Sequence, residues 1–312
     1  MVVLVTGSSG FIGTNLCKYL KSKLGWSVWG VDINPPQVAD DLDVFLQLDL
    51  SNKSFLDEIL QRCDGKVDYV FHLAAQTSGR VSEEDPILDI SSNCIGVAQI
   101  VKFCELKGAM LGQFPKLIFT SSMAVYGDSP LPFTENGTLN PSSTYGVSKI
   151  FGEKMLLKYR AVGGDYCIAR LFNCYGPYQD MNNHKQGMLS IFMEQAIRNK
   201  KFKVTGSLER TRDFVYVDDI VAILANSDFL KQKHTIINVC SGIEVTVQEL
   251  IEKIGAKYNL NGDSLVIEQL GRHAGDMNRS LGDNAQLKKL IPSQNMVSLD
   301  EGLTKFMRYL NG

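Results

Sequence analysis

Long runs of one charge sign are missing from this 312-residue chain: 32 lysines and arginines oppose 34 aspartates and glutamates, for a formal net charge of −2. That balance leaves no electrostatic footprint for nucleic acid or for an anionic membrane surface. Long apolar runs are missing too. No stretch approaches the ~18 residues that span a bilayer, and the first residues carry no basic segment of the kind that opens a signal peptide. The seven cysteines, at 17, 63, 94, 104, 167, 174 and 240, form no C-x-x-C. Without a secretory signal they read as reduced core thiols of a cytoplasmic protein. The four histidines, at 72, 184, 234 and 273, lack metal-ligand spacing, so no metal is expected.

What is present is globular material. The chain is 44% hydrophobic and 21% charged, which supplies ample apolar surface to offset chain entropy. Short apolar runs at 2–5, 28–31, 44–48, 69–73, 116–121 and 166–171 alternate with helical patterns at 11–24, 54–62, 85–108 and 145–159. The third of these helices opens on Asp85-Pro86, an N-cap with proline in the first turn, and is expected to stop at Gly108. Near-continuous apolar strands separated by helices predict an α/β fold. Its core is a Rossmann-type doubly wound parallel sheet, covered on both faces, with ligands beyond the carboxyl ends of the strands. After residue 173 the rhythm loosens. Residues 1–173, with a return segment at about 214–240, are expected to form the dinucleotide-binding domain, and 174–213 with 241–312 a smaller C-terminal substrate-binding lobe.

Three constellations carry chemistry. Gly7-Ser-Ser-Gly10-Phe-Ile-Gly13 lies between a strand and a helix, where glycines allow a sharp turn and close approach of a phosphate to the helix N-terminus. Asp32 follows Gly13 by 19 residues at the end of the next strand. A carboxylate there can accept both hydroxyls of an adenosine ribose and would repel a 2′-phosphate, which favours NAD over NADP; it could equally open a turn before Pro35. Asp49-Leu50 ends the following strand and could meet an adenine edge or merely precede a helix. In Tyr145-Gly-Val-Ser-Lys149 the spacing puts phenol and ammonium on one helix face, where the ammonium is expected to lower the tyrosine pKa. Tyr19 and Lys23 share that spacing but read as a solvated face. What sets Tyr145 apart is Ser122, 23 residues upstream at the end of a strand.

Together with His72-Leu-Ala-Ala75, Ser121-Ser-Met-Ala-Val-Tyr-Gly127, Arg170-Leu-Phe-Asn-Cys-Tyr-Gly-Pro177, Arg212-Asp-Phe-Val-Tyr-Val-Asp-Asp219 and Arg272-His-Ala-Gly-Asp276, these motifs resemble the extended short-chain dehydrogenase/reductase family. More narrowly, they resemble its NAD-dependent nucleotide-sugar epimerase/dehydratase group, of the UDP-glucose 4-epimerase kind. The resemblance runs from residue 1 to about 283.

It implies that Tyr145 deprotonates a sugar hydroxyl, that Lys149 bridges it to the nicotinamide ribose, and that Ser122 positions the substrate oxygen. It implies a retained NAD touched by the backbone of Phe11 and Ile12 and lined by Leu73, Ala74 and Ala75. Asn173, Arg212 and Arg272 match the positions that hold a nucleotide diphosphate, a task suited to the forked, permanently charged guanidinium. Arg212 could instead pair with Asp213, and Tyr216 and the Asp218-Asp219 pair are expected to be structural, one aspartate capping a helix starting at Ile220. Dehydratases of the group carry Asp-Glu directly after the catalytic hydroxyl residue. Met123 and Ala124 stand there and cannot transfer protons, so the expected reaction is 4-epimerisation, most simply of a UDP-hexose. The alternatives are a 2-epimerase, a 4-ketoreductase or a non-catalytic dinucleotide-binding regulator. Thr77-Ser78-Gly79-Arg80 falls where relatives contact the sugar, and Arg80 either meets an anion or faces Glu83 and Glu84. The resemblance further implies a homodimer in which the helix at 85–107 pairs with the helix of Tyr145; Ile87, Ile90, Cys94, Val97 and Val101 could supply the stripe, while ordinary packing on the sheet explains most of them.

Overall fold

The computed structural model describes residues 1–198, 201–271 and 277–312. In chain order its strands are β1 Val2–Thr6, β2 Ser27–Asp32, β3 Val44–Gln47, β4 Tyr69–His72, β5 Lys116–Ser122, β6 Tyr166–Leu171, β7 Asn173–Tyr175, β8 Lys201–Thr205, β9 Thr211–Arg212, β10 Phe214–Tyr216, β11 Thr235–Val239, β12 Val245–Thr246 and β13 Val266–Leu270. Seven of them form one sheet, ordered β11-β6-β5-β4-β1-β2-β3, with every pair parallel. Helices cover both faces, which is why Val3, Leu4 and Val5 on β1 are all fully buried. The strand order reverses at β1, which pairs with β2 on one side and β4 on the other. A crevice opens at such a point beyond the strand ends, and Gly7 and Leu73 emerge there.

Helix Pro86–Leu111 begins as its N-cap predicted, with Asp85 Oδ1 accepting from Leu88 N at 2.9 Å. It does not stop at Gly108. A Cβ there would lie 2.1 Å from the Phe114 ring, so that glycine serves close packing inside the helix. The chain turns out at Gly112, which has a φ of +67°. At 26 residues the helix is long and apolar enough, by length and composition, to cross a bilayer, against the expectation that no stretch approaches that. Its Val97, Ile100, Val101, Phe103 and Cys104 are nevertheless packed in the core against the sheet.

Beyond β6 a second core gathers Tyr175, Leu189, Phe192, Phe202, Leu250 and Phe306. β7 and β10 pair beside it in parallel, as do β8 and β13, while β9 and β12 pair antiparallel. Along β10 the side chains alternate: Phe214 and Tyr216 enter this second core, and Val215 joins the core of the sheet. Helix Ala285–Leu290 packs back on β11, with Leu287 and Ile291 in the sheet's core. Asp219 is not a helix cap. Helix Val217–Leu224 starts before it, and its carboxylate accepts from Val297 N at 2.8 Å and Gln294 Nε2 at 3.1 Å, clamping a distant segment.

Candidate active site

At the end of β1, Gly7 adopts a φ of +72°, and a Cβ on Gly13 would fall 1.9 Å from the Gly7 carbonyl oxygen. Only glycine permits that approach. It lets helix Phe11–Leu24 start directly on the strand end, with its free N–H groups and positive dipole end in the cleft. Asp32 is nearly buried. Its Oδ2 accepts from Ser9 N at 3.0 Å and its Oδ1 from Asn34 N at 2.9 Å. These bonds fix the carboxylate and leave further acceptor capacity on each oxygen. Gly7, Gly10, Phe11, Ile12, Gly13, Asp32, Asp49, Leu50, Leu73, Ala74 and Ala75 all line one cleft of about 1780 Å³. Asp49 Oδ1 also accepts from Ser51 N and Oγ, closing a local turn. A typical single-ligand pocket is ~300–1,000 Å³; this cleft has room for a dinucleotide and a second ligand. The glycine cradle and the half-satisfied Asp32 fit NAD.

Ser122, Tyr145 and Lys149 line the same cleft. Helix Thr144–Ala161 is capped by Ser143, which accepts from Gly146 N at 3.1 Å. Ser82 Oγ accepts from Tyr145 N at 3.2 Å and Glu83 from Thr144 N at 2.8 Å, so neighbouring side chains satisfy the helix's free donors. A Cβ on Gly146 would come within 2.5 Å of the Ala124 carbonyl oxygen. The helix start is therefore pressed onto the turn Met123–Val125, where the Ser122 hydroxyl accepts from Ala124 N at 3.2 Å. Lys149 Nζ donates to the Thr120 carbonyl at 3.0 Å and lies 5.7 Å from the Tyr145 ring centroid. Tyr19 and Lys23 do not reach the cleft.

Burial governs the protonation of the pair. It pulls Lys149 down to about 8, against the opposing charge of Asp89. It pushes the Tyr145 phenol up, with the Ser122 hydroxyl opposing. Contrary to the expected lowering, the phenol therefore stands above its ordinary value, with desolvation of the phenolate dominant, and the ammonium is engaged by the Thr120 carbonyl. Beneath them, burial pushes His72 down to about 3, so it is neutral and its Nδ1 meets Thr6 Oγ1 at 2.7 Å.

Asn173 lines the cleft and donates to the Asp213 carbonyl at 3.1 Å. Arg212 is buried at the cleft wall, with Nη1 on the Thr211 carbonyl at 2.7 Å. It does not serve Asp213, whose carboxylate accepts from Ser241 N, Ser241 Oγ and Gly242 N. Arg272 lies outside the described residues. At the rim, Arg80 pairs with Glu84 at 2.9 Å, and Glu84 also holds Lys185 at 2.6 Å. Sequence reasoning missed Gln76, Ser82, Asp89, Asn93 and Thr120 around the site. Asn93, a buried amide inside an apolar helix, was the signal available.

A cleft of this construction defines a dinucleotide-binding scaffold of the short-chain dehydrogenase/reductase type. The model of the NAD dependent epimerase/dehydratase family matches residues 3–240, and the chain belongs to that family. A putative UDP-glucose 4-epimerase of Methanocaldococcus jannaschii is 34% identical over 276 residues, covering 85% of each chain. The UDP-glucose 4-epimerase of Mycolicibacterium smegmatis is 30% identical over 322 residues, 99% of this chain and 98% of its own. The solved structure of a Thermotoga maritima UDP-glucose 4-epimerase with UDP-glucose is 29% identical, with a TM-score of 0.89 over 100% of this chain and 99% of that one.

Proposed function

We propose that this protein is an NAD-dependent nucleotide-sugar 4-epimerase acting on a UDP-hexose through a 4-keto sugar. One observation supports this reading above the others. Ser122, Tyr145 and Lys149 line one cleft together with Met123 and Ala124, which carry no transferable proton. NAD, when bound, supplies the hydride acceptor and donor. The glycine loop and the backbone of Phe11 and Ile12 would take its pyrophosphate, Asp32 its adenosine ribose, Asp49 and Leu50 its adenine edge, and Leu73, Ala74 and Ala75 its length. Tyr145 takes the proton from the sugar hydroxyl and later returns it, a role worth ~10²–10⁴ in rate. Ser122 holds the same oxygen, and the Lys149 ammonium stabilises the phenolate charge. Asn173, Arg212 and Arg272 hold the diphosphate, with forked guanidinium donors. In this reading 1–173 with 214–240 carries NAD and the remaining lobe carries the nucleotide sugar.

A homodimer accompanies the reading. Ile87, Ile90, Ile95, Val147, Phe151 and Leu157 are exposed on helices Pro86–Leu111 and Thr144–Ala161, and apolar patches of that kind mark contact surfaces. Of the candidate stripe, Val97 and Val101 are core residues, as ordinary packing on the sheet requires.

The test is incubation with a panel of nucleotide sugars and separation of the products. Interconversion of UDP-glucose with its C4 epimer, without added cofactor, is expected. Conversion only with an added reduced dinucleotide would make the protein a ketoreductase and overturn the proposal.

A further inference from the structure

The backbone of Tyr145 is held by side chains that lie mostly outside its own helix. A helix leaves its first N–H groups without partners inside the helix. In helix Thr144–Ala161 the cap side chain of Ser143 meets Gly146 N. The two donors before it are met from helix Gly79–Glu84: Glu83 Oε1 accepts from Thr144 N at 2.8 Å, and Ser82 Oγ accepts from Tyr145 N at 3.2 Å. Ser82 is fully buried, and its hydroxyl proton goes to the Gly79 carbonyl at 2.7 Å, which leaves the oxygen's lone pairs to the Tyr145 N–H. The Tyr145 carbonyl is held too. Ser148 Oγ donates to it at 3.0 Å and accepts at 3.0 Å from Asn93 Nδ2, on the π-helical stretch Ile90–Ile95 of helix Pro86–Leu111. A six-residue helix is not stable alone, so the place of Ser82 depends on what fixes helix Gly79–Glu84. Ser78 Oγ accepts from Val81 N at 3.2 Å, which starts the helix, and donates to the Lys185 carbonyl at 2.7 Å. At the other end Glu84 holds Lys185 Nζ at 2.6 Å. Both ends are thus tied to one residue of the loop before helix Met188–Arg198, while Ser82 and Glu83 between them grip the catalytic helix.

We propose that Ser82, with Glu83 beside it, is a positioning residue for catalysis: its buried hydroxyl fixes the backbone of Tyr145 from outside the catalytic helix and so sets where the phenol stands in the cleft. The proposal rests on the role given to Tyr145 above. With the Ser82 hydroxyl gone, the Tyr145 N–H faces a methyl group, and a donor left unmet there is costly. The helix start relieves that cost by moving, and the phenol, at the far end of the same residue, moves with it. Reacting groups tolerate little displacement: a 1 Å misplacement can cost ~10²-fold in rate. Ser82 does not line the cleft, so its loss acts on the rate through Tyr145 and not through a ligand contact.

Ser82→Ala is expected to lower kcat by roughly 10-fold, while KM for UDP-glucose and the NAD carried per chain keep their wild-type values. A merely structural role predicts a lower Tm with kcat per bound NAD unchanged, and that result would overturn the proposal; so would a change confined to KM. Where Ser82→Ala does not fold, Glu83→Ala decides, because Glu83 is exposed and its truncation leaves no cavity. It is expected to lower kcat, and Glu83→Gln, which keeps an acceptor oxygen, to restore it; an unchanged kcat in Glu83→Ala would overturn the proposal. A second readout needs no turnover. Amide hydrogen exchange should show Tyr145 N–H protected in the wild type and unprotected in Ser82→Ala, with the later turns of the helix unaltered. Equal exchange at Tyr145 in the two proteins would overturn the anchoring. If the wild type converted no nucleotide sugar, the reading of the function would fall, and the exchange measurement would still decide whether Ser82 holds Tyr145.

Discussion

Arg170 joins several elements behind the cleft through one guanidinium. It is almost fully buried and donates through Nε and Nη2 to both oxygens of Glu153, at 2.9 and 2.7 Å, and through Nη1 to the Tyr126 hydroxyl and the Glu135 carbonyl. Glu153 in turn accepts from Ser121, next to Ser122, at 2.6 Å. The pair therefore ties β6 and β5 to the helix of Tyr145. Arg170→Met strands a buried carboxylate and should cost ~3–5 kcal/mol in urea unfolding, much of it recovered when Glu153→Leu is added. A loss below ~1 kcal/mol would show the pair to be dispensable. Arg170 stood in the sequence as part of a motif, but its partner is 17 residues away on another element. The motif marked the residue and gave no sign of what it holds.

The glycine loop was legible as an element because its physics is local. A strand end, a positive-φ glycine and a helix start lie within seven positions, and the backbone contact between Gly13 and Gly7 needs no distant partner. Gly13→Ala forces that contact apart. It should lower Tm, by an amount corresponding to ~1–3 kcal/mol, and weaken NAD binding in a fluorescence titration; unchanged affinity would remove the loop from the pyrophosphate site. Helix Pro86–Leu111 shows the opposite case. Its start was readable from Asp85-Pro86, yet Gly108 was indistinguishable in sequence from a stop signal because its function depends on Phe114 packing against it. The π-helical stretch and the division of its apolar residues between core and surface are likewise set by tertiary contacts.

For the molecule as a whole, the parallel sheet and its crevice follow from the alternation of buried strands and helices, and that alternation survives without knowledge of any partner. The second core was less legible because it assembles segments from either side of β11, including Phe192, Phe202, Leu250 and Phe306. Its short strands pair across gaps that periodicity does not reveal. The exposed apolar face carries a prediction at this scale. Phe151, on a shallow groove with Cys94, Ile95 and Ala98, is 40% exposed. Sedimentation should give twice the 34.6 kDa chain mass, and Phe151→Glu should shift it to one chain. A wild-type protein that sediments as a single chain would contradict the dimer.

The most direct measurement compares wild type with Tyr145→Phe for two quantities: NAD carried by the purified protein, and the rate at which a UDP-hexose exchanges with its C4 epimer. The account predicts equal NAD content and a rate lower by ~10²–10⁴. An unchanged rate in the variant would contradict it.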